Sequence, residues 1–154
     1  MQKELVLKKA LLERFVDECR NKFPKKAFGY FISSSKGGSP EDFIMFRDDV
    51  RNEWKSKFEE YGNYYVLHDD AGFLATEEEM YEVHKILSQR KMHIVGIYHS
   101  HQRHPAIFST VDIDLHPSEN IWHLIISLRN KDNPQIKAFS VKNSMPSELK
   151  IVSE

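Results

Sequence analysis

The stretch that decides the fold reads IVGIYHSHQRHPAIFSTVD, residues 94–112. Ile94 to Tyr98 is a short apolar run of strand type. His99 and His101 follow it two apart, and in an extended chain residues two apart point to the same side. Two imidazoles on one side of a strand end can grip one metal ion. Asp112 then arrives from a helix predicted over Ser109 to His116. Two histidines and one carboxylate, with a fourth position left to water, form the donor set of a catalytic zinc site. Zinc brings the pKa of its water down to about 7, which makes hydroxide available near neutral pH. The same residues also have a plainer reading. A His-x-His pair can be a polar strand end, and Ser109 with Asp112 can be a helix cap followed by an acidic third residue.

Outward from this stretch, Thr76 to Arg90 is the clearest helix. Thr76 and Glu79 form a capping-box pair, and Met80, Val83, Ile86 and Leu87 make one apolar face. Leu11, Leu12, Phe15, Val16 and Cys19 recur at helical spacing, which predicts a helix over Lys8 to Asn21, closed by Phe23-Pro24. Strands are expected at Leu5 to Leu7, Ala27 to Ser33, Phe43 to Phe46, Asn63 to His68, Ile121 to Leu128, Ile136 to Val141 and Leu149 to Val152. The turn Ser34 to Asp42 joins two of them into a hairpin, and Asp48 to Gly62 reads as a charged loop or irregular helix. Mixed strands with about three helices imply an α/β or α+β fold with one central mixed sheet flanked by helices. No repeat or linker interrupts the chain, so residues 1–154 read as one domain.

The composition supports this and excludes other classes. Hydrophobic residues make up 40% and charged residues 29%, a globular rather than disordered mix. A formal net charge of −1 gives no electrostatic bias toward nucleic acid or an anionic membrane. The opening MQKELVLKKALLERF lacks the apolar core of a signal peptide, and no stretch suits a membrane span, so the expected location is the cytoplasm. Cys19, the lone cysteine, reads as a buried packing residue rather than a nucleophile.

The complete spacing, His99-Ser100-His101, seven residues, Ser109, two residues, Asp112, resembles the signature of the JAMM proteases within the larger MPN family. The strand before the histidines and the helix before that strand resemble the family context. His104-Pro105-Ala106 is similar to the proline-containing loop of bacterial members, and the likeness spans about residue 5 to residue 142. The resemblance implies a cytidine-deaminase-like fold and Zn²⁺ held by His99, His101 and Asp112. It implies that Ser109 hydrogen-bonds the oxyanion or the zinc water while an amide is attacked. It also implies hydrolysis of a peptide or isopeptide bond, often at the C-terminus of ubiquitin. For bacterial members the partners are ubiquitin-like sulfur-carrier proteins.

Two positions depart from the family pattern. The family's general base is a glutamate in a segment resembling Pro-x-Glu-Ala-Cys-Gly, and the matching stretch here is Pro24-Lys25-Lys26-Ala27-Phe28-Gly29, with Lys26 at the glutamate position. Protonated lysine cannot take a proton from water. It serves as a base only if desolvation or a nearby cation makes it neutral. The other departure is Gln102, where the family usually has proline. Glu41, Glu53, Glu59 and Glu60 are loop carboxylates that could in principle replace the missing base, while His104 and His116 read as surface or supporting histidines. Two functions therefore follow from the resemblance: an active zinc metallohydrolase, or a catalytically impaired MPN module that keeps zinc and binds a protein partner.

Overall fold

Short continuous apolar runs become central strands because a sheet covered on both faces buries successive side chains to either side. In the computed structural model, which describes residues 4–47, 75–107 and 120–154, seven strands form one sheet. They are β1 (Glu4–Leu7), β2 (Phe28–Ser33), β3 (Asp42–Met45), β4 (His93–His101), β5 (Trp122–Ser127), β6 (Gln135–Lys142) and β7 (Met145–Ser153). Their spatial order is β1-β7-β6-β5-β4-β2-β3. The β4–β5 and β1–β7 pairs are parallel, and the other pairs are antiparallel. A parallel pair needs a long crossover, and residues 102–121 supply it between β4 and β5. The two helices among the described residues are α1 (Lys9–Lys22) and α2 (Glu77–Arg90). The α/β fold with a central mixed sheet agrees with the sequence reading.

The sheet is covered on both faces. Leu11, Phe15 and Cys19 of α1 are buried at i, i+4 and i+8. They pack with Phe31, Tyr98, Leu124 and Ile126 on one face. The Phe15 ring meets Tyr98 edge-on at 4.8 Å between centroids. Burial drives the Cys19 thiol far above its ordinary pKa, so it stays protonated and acts as a small hydrophobe, as its spacing predicts. Val83 and Leu87 of α2 lie on the opposite face with Phe28, Tyr30, Ile32 and Ile97.

Three details correct the sequence reading. First, the buried face of α2 is Glu79, Val83 and Leu87, whereas Met80 is 37% and Ile86 41% exposed. Thr76 does accept from the Glu79 N–H at 3.1 Å. The Glu79 carboxylate itself accepts from the Arg47 N–H at 2.7 Å and the Arg47 guanidinium at 3.2 Å, so this buried anion is compensated beside the end of β3. Second, β4 extends through His101, so both histidines lie within the strand rather than beyond it. Third, β7 begins at Met145. A two-residue turn at Asn143 and Ser144, with φ of 51° and 59°, joins it to β6. Pro146 is tolerated because β1 pairs only with Lys150 to Ser153, which leaves β7 with a single neighbour there. The expected loop Asp48 to Gly62, strand Asn63 to His68 and helix Ser109 to His116 lie outside the described residues.

Gly29 lets β2 and β3 come together beneath Tyr98. A Cβ at this position would stand 1.8 Å from the Ile44 carbonyl oxygen. The Tyr98 hydroxyl donates to that same oxygen at 3.0 Å. Gly29→Ala should therefore destabilise the protein by about 3 kcal/mol, at the upper end of overpacking costs. Urea melts of both forms test this, and an unchanged midpoint would contradict the packing described.

Candidate metal centre

The site is built on the carboxyl ends of β4 and β5, the place where open α/β sheets tend to bind ligands. Alternation along β4 puts Ile97, His99 and His101 on the α2 face, while Tyr98 points into the α1 core. His99 is fully buried and His101 is 3% exposed. Their Nε2 atoms are 3.0 Å apart. Two nitrogens bound to one tetrahedral zinc at about 2.0–2.1 Å would be roughly 3.3 Å apart, so the observed separation suits a shared cation.

The far nitrogens are anchored. His101 Nδ1 donates to the Pro105 carbonyl at 2.8 Å. A carbonyl can only accept, so the proton of the neutral ring is on Nδ1 and the Nε2 lone pair faces His99. His99 Nδ1 lies 2.7 Å from His123 Nε2. Without a cation, the neutral rings order as a chain in which His123 donates to His99 and His99 donates to His101. With both Nε2 lone pairs given to a cation, the proton of the His99–His123 bond resides on His99 Nδ1. The two imidazoles can therefore serve as two of the ligands of a zinc ion, and the chain can adjust to a cation by moving protons within existing hydrogen bonds.

The turn after β4 is held from outside. Ser127 Oγ donates to the His104 carbonyl, and the Ala106 N–H donates to Gln135 Oε1 at 3.0 Å. Ser127 and Gln135 flank Pro105 in this way and aim its carbonyl at His101. Half-buried His104 contributes its backbone carbonyl to this arrangement.

Lys26 enters from β2. The β2–β4 register pairs Phe28 with His99. It continues one step further through Ser100, whose N–H donates to the Ala27 carbonyl at 2.7 Å and whose Oγ accepts from the Ala27 N–H at 2.8 Å. Lys26 directly precedes Ala27, so it lies next to this contact at the histidine end of β4. Lys26 is 8% exposed, an unusual burial for a lysine.

Glu41 does not stand in for the missing carboxylate. It lies in the β2–β3 hairpin, beside Ser33, and Ser33 pairs with His93 at the opposite end of β4. The Ser34 hydroxyl and N–H and the Ser33 hydroxyl all donate to it and hold its pKa below the ordinary value. Ser109, Asp112, His116, Glu53, Glu59 and Glu60 lie outside the described residues, and among the described residues no group of three His, Cys, Asp or Glu side chains converges on one point. Sequence reasoning missed His123, Ser100, Ser127 and Gln135. Of these only His123 carried a signal: a histidine inside the otherwise apolar run Ile121 to Ile126 is out of place in a strand buried on both faces.

Comparison with known proteins agrees with this fold. Residues 8–142 match the family described as prokaryotic homologs of the JAB domain. A protein from Desulfitobacterium hafniense has a similar solution structure, with a TM-score of 0.70 at 21% identity, covering 97% of this chain and 92% of that one. A protein from Salinibacter ruber gives 0.60 at 17%, covering 97% and 91%. A JAB1/MPN domain protein from Archaeoglobus fulgidus gives 0.52 at 13%, covering 97% and 98%. No curated protein matches the chain. At these identities the solved structures speak for the fold alone, and the family match spans most of the sequence: the chain belongs to the prokaryotic homologs of the JAB domain.

Proposed function

We propose that this chain is a zinc metallohydrolase of JAMM type that cleaves a peptide or isopeptide bond. The proposed substrate class is the C-terminal tail of a ubiquitin-like or sulfur-carrier protein. The observation that carries the reading is the 3.0 Å approach of His99 Nε2 to His101 Nε2, with both far nitrogens anchored. Asp112, at the signature spacing, is the proposed third ligand. Zinc, when bound, supplies a Lewis acid that acidifies water and polarises a carbonyl. Of the chain's own residues, Pro105 and His123 hold the imidazoles, and the Ser109 hydroxyl donates to the developing oxyanion. A cytoplasmic setting belongs to the same reading, in keeping with lone, buried Cys19.

The proton step favours a second reading. Amide hydrolysis needs a group that takes a proton from water and returns it to the leaving amine. Glutamate at position 26 would do both, whereas Lys26 does so only when neutral. Its burial next to the Ala27–Ser100 contact therefore supports a weakly active or inactive module that keeps zinc and a protein partner.

One measurement tests the zinc site that both readings share, and a second, of activity, separates them. The purified protein should carry about one zinc per chain, and His101→Ala should lose most of it, because two ligands are too few to retain the ion. Full zinc content in a His99→Ala, His101→Ala double variant would remove the site from consideration. The natural protein should be slow on a ubiquitin-like fusion, and Lys26→Glu, at matched zinc content, should speed it by about a hundredfold or more, the typical worth of a general base. A fast natural protein slowed by Lys26→Glu would instead make Lys26 a working base.

A further inference from the structure

The third histidine of the row lies outside the JAMM signature, yet it meets His99 in a fully buried contact. His123 is fully buried in β5, a strand whose six residues are all buried. Parallel pairing sets His123 beside Ile97 and Ile125 beside His99, so His123 is diagonal to His99 on the same face. The two rings meet edge-on, 88° between planes and 4.8 Å between centroids. His123 Nε2 lies 2.7 Å from His99 Nδ1, within hydrogen-bond distance. An imidazole buried in an apolar strand is costly unless it is hydrogen-bonded, and the bond to His99 offsets that cost.

The geometry points to His123 as a positioning residue for the metal centre, which accepts the Nδ1 proton of His99 and fixes the ring so that Nε2 faces the cation. This rests on the zinc reading above. His123 meets the nitrogen turned away from His101, so it acts behind the ligand and is not itself a ligand. His101 gains the same service from the Pro105 carbonyl. The two imidazoles are thus oriented by different devices, a backbone carbonyl for one and a buried side chain for the other. Outer groups of this kind commonly set metal affinity by about 10–100-fold.

The test uses three purified full-length proteins: the natural chain, His123→Phe and His123→Gln. Phenylalanine fills the space without accepting a proton, whereas the glutamine amide oxygen can accept where Nε2 does. Zinc affinity is read by competition with a chromogenic chelator, and cobalt(II) absorption reports the ligand field. Thermal melting of the zinc-free proteins reports folding. His123→Phe should stay folded, bind zinc about 10–100-fold more weakly and give an altered cobalt spectrum. His123→Gln should recover most of both. Equal zinc affinity in the natural and phenylalanine proteins overturns the inference and leaves the zinc reading standing. Equal loss in both variants also overturns it, because it assigns the defect to packing. A nitrogen-correlated proton spectrum of the zinc-free natural protein separates the two claims. It should show a slowly exchanging ring proton between His99 and His123, absent from His123→Phe. If that proton is present and the natural chain takes up no zinc, the zinc reading fails, and the positioning role fails with it although the hydrogen bond stands.

Discussion

The pairing of β2 with β4 is the constraint on which the site depends. It sets Phe28 against His99 and ends in the two-way hydrogen bonding of Ala27 with Ser100. Those bonds use the backbone on both strands and one hydroxyl, so they fix the start of β2 relative to the histidines whatever side chains flank them. From β4 the order passes outward to β5, whose parallel register sets His123 beside Ile97 and Ser127 beside His101. Gly29 and Gly96 make this close approach feasible. Gly29 lies under the Tyr98 hydroxyl, and a Cβ at Gly96 would come within 2.4 Å of the Trp122 ring. Small residues in the middle of the sheet therefore help to place the histidines at its end.

Sequence patterning revealed what depends on short-range periodicity. The face of α1 could be read because Leu11, Phe15 and Cys19 recur along one helix, and the same-side placement of His99 and His101 follows from the two-residue repeat of a strand. What escaped depends on partners distant in sequence. Glu79 is buried because Arg47 reaches it across 32 positions, and that contact turns α2 away from the face its apolar residues suggested. His123 gains its meaning only from a register that no local pattern encodes. The early start of β7 was hidden by Pro146, which argues against a strand until the missing neighbour on its outer side is known.

The departure at Gln102 can be understood from the turn that follows it. Proline at that point would stiffen the chain after the second histidine by fixing φ. Here the turn is secured from its far side instead, through Ser127 on His104 and Gln135 on Ala106. Two side-chain bonds from β5 and β6 do the work of a locked dihedral. The Pro105 carbonyl that His101 needs is held by strands that are themselves part of the sheet.

The Ala27–Ser100 contact also bears on descent. Because none of its atoms belongs to the side chain at position 26, that side chain can be exchanged without disturbing the frame around it. Lysine and glutamate codons differ by a single base. A lineage carrying this frame can therefore exchange a cation for an anion at position 26 by one nucleotide change, while inheriting the strand register, the histidines and their supports intact.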